Sequence, residues 1–121
     1  MAEQTRQSTR RADTRAKRAA FAATVAKALS HPLRGELLAA LAEQGKASPS
    51  QLAGAVGRGL SLSAISYHVQ QLRSLGLLRP AGTRQRRGAV EHFYELTSKG
   101  ERVLGFLDIV GDSAASTGRS R

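Results

Sequence analysis

Apolar residues recur at helical spacing from about Arg15, where Phe21, Val25, Ala28 and Leu29 fall at i, i+4, i+7 and i+8. This stripe predicts a helix that stops before Pro32, because a residue preceding proline is pushed out of the α region. Ser30-His31-Pro32 then opens a second helix, since proline is tolerated at the first helical position, where its missing N–H has no partner to lose. Leu33, Leu37, Leu38 and Leu41 form its inner stripe, and Gly45 ends it as a left-handed cap. Ser48-Pro49-Ser50-Gln51 reads as a capping box, with Ser48 at the N-cap and Gln51 at N3. The short helix it opens turns Leu52 and Val56 inward before Gly57-Arg58-Gly59 breaks it.

A fourth helix is predicted from Leu62 to about Leu75, with Ile65, Val69 and Leu72 on one side and Gly76 as its stop. At about 100° per residue the other side collects Ser63, Ser66, Tyr67, Gln70, Gln71 and Ser74, with His68 at the edge of the apolar stripe. None of the six is charged, whereas a merely solvated face normally carries Lys and Glu. Uncharged hydrogen-bonding groups in a row suit the edges of bases in a major groove. After Gly76 the period falls from 3.6 to 2. Leu77 to Ala81 and Ala89 to Leu96 read as two strands, and Gly82 to Gly88 as the loop between them, carrying Arg84, Arg86 and Arg87. Such a loop suits phosphates or a minor groove. Ser98 to Glu101 reads as a second capping box opening a last helix, with Val103, Leu104, Leu107 and Val110 apolar and Phe106 beside them. The expected organisation is a flexible basic arm (1–14), one domain (15–110) and a disordered Gly/Ser-rich tail (111–121).

Composition narrows the chemistry. Across 121 residues there are 19 Lys+Arg against 9 Asp+Glu, a net charge of +10, which calls for a polyanionic partner. That charge is concentrated in the first 20 residues and around Arg84 to Arg87. The chain has no Cys, so disulfides, thiolate metal sites and a Cys nucleophile are excluded. Its longest apolar run, Leu37 to Ala42, is far short of the roughly 20 residues that cross a bilayer. We expect no membrane partner, no export signal and a cytoplasmic location. No nucleophile elbow or phosphate loop is present, so no catalytic residue is assigned and no enzyme is expected.

Two short helices joined by a glycine turn, the second exposing uncharged polar groups, followed by a basic hairpin, define a mainly α winged helix-turn-helix with about five helices and a two-stranded wing. The runs Ser48 to Ala53, Ser61 to Leu72 and Gly76-Leu77-Leu78, with Leu29 to Arg34 before them and Arg86 to Tyr94 after, resemble ArsR-type (arsenic-repressor-like) transcriptional regulators. The likeness covers roughly Ala23 to Val110. The Gly57-Arg58-Gly59-Leu60 connection is about two residues longer than the family's usual turn. What the resemblance implies is a bacterial, nucleoid-associated homodimer that binds double-stranded DNA at an operator and represses transcription, with the first and last helices forming the dimer interface.

On this reading the DNA-binding residues are Ser61, Ser63, Ala64, Ser66, Tyr67, His68, Gln70 and Gln71 of the fourth helix and Arg84, Arg86 and Arg87 of the wing. Phe21, Val25, Leu104, Phe106, Leu107 and Val110 supply the apolar surface for a dimer. Metal-sensing relatives use Cys or clustered His and carboxylates. Here the three histidines fall at 31, 68 and 92 and the last helix offers only Asp108 and Asp112, so no metal and no cofactor are assigned, and a small-molecule effector stays open. Two other classes share the fold, a non-specific architectural nucleic-acid binder and a winged-helix protein-interaction module. The latter needs large apolar residues or clustered charge on the fourth helix, where this chain places Ser, Gln and Tyr.

Overall fold

The computed structural model describes the backbone of residues 2–57 and 59–119 and the side chains of residues 8–28, 30–57 and 59–108. Arg58 and the side chain of Val110 therefore lie outside the described residues. The element order is α1 (Ala2–Leu29), α2 (Pro32–Gln44), α3 (Pro49–Val56), α4 (Leu62–Ser74), β1 (Leu78–Arg86), β2 (Ala89–Leu96) and α5 (Ser98–Arg119). Five helices and a two-stranded antiparallel hairpin are the fold that the residue pattern predicts.

Local capping chemistry fixes the start of each central helix. His31 caps α2, its Nδ1 accepting the Leu33 N–H at 3.2 Å. At α3 both halves of the capping box form: Ser48 Oγ accepts the Gln51 N–H at 3.2 Å, and Gln51 Oε1 accepts the Ser48 N–H at 3.1 Å. Ser61 Oγ accepts the Ala64 N–H at 3.1 Å and starts α4. Gly57 closes α3 in the left-handed region at φ 65°, a conformation that costs a glycine little. The core beneath is one layer of aliphatic side chains. Leu33, Leu37, Leu38 and Leu41 of α2 meet Leu52, Ile65, Val69, Leu72, Leu77 and Val103, all essentially inaccessible.

Four boundaries differ from expectation. The first helix begins at Ala2 rather than near Arg15, so the segment expected as an arm has helical backbone; it contains neither Gly nor Pro and is rich in Ala, Gln and Arg, all good helix formers. Residues 8–20 of α1 are exposed. At the other end the α5 backbone stays helical past Gly111, through the segment expected as a tail. Its cap is Thr97, one residue before Ser98: Thr97 Oγ1 accepts the Gly100 N–H at 3.0 Å and donates to the Gly76 carbonyl at 2.6 Å. A Cβ at Gly100 would collide with the Leu77 carbonyl, so the absence of a side chain there is what lets α5 lie against the start of the hairpin.

The largest difference concerns the arginine-rich loop, most of which is strand. The ladder runs from Leu78↔Leu96 out to Arg86↔Ala89, leaving only Arg87-Gly88 as the turn. Both turn residues have positive φ, 52° and 79°, as the type I′ hairpin turn requires. A bulge between Pro80 and Thr83, with Gly82 at φ 118°, adds one residue to β1. On the other side of β2, Ala47 exchanges two backbone hydrogen bonds with Tyr94, at 3.0 and 2.9 Å, and ties the wing to the entry of α3.

Candidate nucleic-acid interface

Helix α4 separates cleanly into two faces. Ile65, His68, Val69 and Leu72 are buried against α2 and α3. Ser61, Ser63, Tyr67, Gln70 and Ser74 are exposed, and Ala64, Ser66 and Gln71 are half-buried beside them. Tyr67 is 58% exposed, an unusual outlay for a ring that large unless something covers it. Leu62, in the first turn, is 54% exposed. Periodicity alone does not single out an exposed leucine; it lines the same cleft as Ser66, where an apolar side chain suits a thymine methyl.

His68 belongs to the inner face. Its ring centroid stands 4.4 Å from that of His31, and the Arg34 Nε–H donates to its Nδ1 at 3.3 Å. Burial, with His31 and Arg34 adding positive charge beside it, holds its pKa below the usual histidine value. His68, expected among the DNA contacts, is thus held on the inner face through its Nδ1, and its ring lies edge-on to Tyr67 at 5.3 Å. Gln70 is also partly engaged, donating to the Tyr94 hydroxyl at 3.0 Å and linking α4 to the wing.

The wing brings its arginines to a single acid. Arg84 and Glu91 are cross-strand partners, and Glu91 Oε1 accepts Nε and Nη2 of Arg84 at 3.1 and 2.6 Å. Ser48 Oγ donates to Oε2 at 2.6 Å, and Arg86 Nη1 stands 3.8 Å from the same oxygen. The Ser48 hydroxyl first, and Arg84 after it, hold the Glu91 carboxyl below its ordinary pKa. Arg87 occupies the turn, without a carboxylate partner among the described residues. Between α3, α4 and the wing lies an open cleft of about 300 Å³, lined by Ser50, Leu62, Ser66, Gln70, Val90 and Tyr94 among others. The structure thus brings the polar face of α4 and the base of the arginine hairpin to one side of the molecule.

The residues assigned to self-association divide. Val25 is 7% exposed and belongs to the chain's own core, while Phe21, Leu104 and Leu107 pack partly against that core. Leu107 lies over Gly35 of α2, and the Arg102 guanidinium sits 5.5 Å above the Phe21 ring. Phe106, 43% exposed, is the one large apolar side chain of α5 that faces outward among the described residues.

Residues 29–81, which span α2 to the start of β1, match the family model of a helix-turn-helix domain. No curated protein sequence matches the chain. Among solved structures, the AntR antimony-specific transcriptional repressor superposes with a TM-score of 0.63 at 25% identity, covering 82% of this chain and 81% of that one. A fragment from Mycobacterium bovis, described as a possible transcriptional regulatory protein, gives 0.59 at 28% identity over 76% and 91% of the two chains. HlyU from Vibrio cholerae gives 0.58 at 27% identity over 78% and 95%. The chain has the winged helix-turn-helix fold of transcriptional regulators.

Proposed function

We propose that this protein is a homodimeric, sequence-specific transcriptional regulator of the ArsR type, a repressor acting on double-stranded DNA in the bacterial cytoplasm and nucleoid. The carrying observation is the hydrogen-bonding outer face of α4, uncharged apart from Arg73 in its last turn, set beside a wing with arginines at its tip. Ser61, Ser63, Ala64, Ser66, Tyr67, Gln70 and Gln71, with Leu62 added, read base edges, and Arg84, Arg86 and Arg87 contact phosphates or the minor groove. His68 acts from behind, positioning Tyr67. Phe21, Leu104, Phe106 and Leu107 are the dimer surface, through which two reading helices would be spaced along one face of a duplex. The exposed stretch 8–20 of α1, with Arg10, Arg11, Arg15, Lys17 and Arg18, adds positive charge along the same chain.

The test is selection of bound sequences from a random duplex pool at about 150 mM salt, where screening suppresses purely ionic binding. Two enriched inverted half-sites about one helical turn apart are expected. Binding without enrichment would favour an architectural role, and no binding a protein-interaction module. On the enriched site, Gln71→Ala should lower preference for the cognate duplex more than it lowers affinity for an unrelated one. Phe106→Asp, which leaves the core untouched, should yield monomers by sedimentation; an intact dimer would refute this arrangement of the interface.

A further inference from the structure

We infer that Glu91 is a positioning residue of the wing that competes with the DNA backbone for Arg84 and Arg86, holding both in the free protein and yielding them to phosphates on binding. The inference rests on the DNA-binding reading above. A carboxylate offers a guanidinium fork two acceptor oxygens, much as a phosphate does. Here one oxygen takes two N–H groups of Arg84, and the other faces Arg86 at 3.8 Å. The Glu91 side chain is only 9% exposed, while Arg84 and Arg86 are 52% and 55% exposed. A duplex laid on the wing would therefore meet the arginines and not the acid.

Handing over is inexpensive for the same geometric reason. When Arg84 swings outward, the Ser48 hydroxyl still donates to Oε2, so the carboxylate is not left without a partner. Half-exposed ion pairs contribute little net stability, and phosphates along a duplex outnumber the single internal acid. Glu91 also fixes where the arginines wait. Ser48 is fully buried at the N-cap of α3, so the acid ties the arm of the wing to the helix that precedes the reading helix. The wing thus carries two kinds of arginine: Arg87 at the turn, and Arg84 and Arg86 on a tether.

Salt titrations of duplex binding by the full chain, its Glu91→Gln and Arg84→Ala variants and the double variant test this, each on a selected site and on an unrelated duplex of equal length. Glu91→Gln keeps the shape and an acceptor for Ser48 but gives up the charge. It should bind both duplexes about two- to fivefold tighter, the range set by loss of one exposed ion pair. Arg84→Ala should reduce the slope of log affinity against log salt by about one. The gain from Glu91→Gln should shrink when Arg84 is absent. A folded Glu91→Gln variant that binds equally or more weakly would show a simple strut and overturn the inference. Should that variant fail to fold, an unchanged salt slope for Arg84→Ala overturns it instead. Wild-type protein that binds neither duplex sinks the DNA-binding reading, and this inference with it.

Discussion

Helix α4 and the wing line the same cleft but are held in place by opposite physics. Helix α4 is seated by burial: Ile65, Val69 and Leu72 are inaccessible, and its start is set by a serine cap. Past the bulge, the wing buries almost nothing, with residues 82 to 90 exposed throughout. What orients it is a two-stranded ladder and one half-buried acid shared by Ser48, Arg84 and Arg86. Burial is indifferent to salt, whereas ion pairs among half-exposed groups are screened by it and open to competition. A rigid reading element beside a yielding phosphate-contacting one is the division of labour that base readout and backbone contact require.

The largest test of that contrast strikes the buried side. Leu72→Ala removes a fully inaccessible side chain from the face that seats α4 and should cost about 2–5 kcal/mol by chemical denaturation. Because it disturbs the seat rather than the surface, loss of duplex binding should follow the unfolded fraction. Weakened binding by fully folded Leu72→Ala would show instead that the seat tunes the angle of the helix. Ser48→Ala strikes where the two regions join. Loss of an N-cap costs about 1–2 kcal/mol, and the same hydroxyl is also the buried donor to Glu91. This variant should lower stability and, unlike Leu72→Ala, also alter the salt dependence of binding in the fully folded protein. An unchanged salt dependence would mean that the Ser48 hydroxyl does not govern how Glu91 holds the wing arginines.

Local signals explain what was legible in the chain, and non-local contacts explain what was not. The starts of α2, α3 and α4 lie in a few residues each, where a proline, a serine or a capping box satisfies N–H groups within one turn, so His31, Ser48 and Ser61 could be read directly. The strand character of 82–86 could not. Arg84 and Arg86 look like loop residues until Glu91 and Ala89 are known to lie opposite them. Thr97 is a local cap, accepting the Gly100 N–H three residues on, but Ser98 directly after it offers the same signal; only its bond to Gly76 is non-local. His68 sat at the edge of the helical wheel, and only His31 and Arg34, more than thirty positions away in sequence, decide that it faces inward. Val25 was readable as apolar but not as core rather than interface, because that depends on how α1 lies on α2. The outer face of α4 was legible for the converse reason: the helical period alone assigns it.

The smallest expected effect concerns protons, and it separates the two regions by pH. Because burial, His31 and Arg34 depress the His68 pKa, the unfolded chain binds a proton more readily than the folded one just below the ordinary histidine value of about 6.5. The stability due to His68 is thus complete above that pH and declines as pH falls from there toward the depressed value. Glu91 acts in the same direction but lower on the scale: its depressed carboxyl contributes stability above the ordinary carboxylate range, lost as pH falls through its own lowered value. Denaturation at pH 7.5 and 5.5 therefore bears on His68 rather than on Glu91. Wild-type protein should be modestly less stable at pH 5.5, and His68→Gln should lose less over the same interval, since an amide oxygen accepts the Arg34 N–H without titrating. Equal losses in the two proteins would place the titrating group elsewhere, and would leave the seat of α4 with no ionisable part.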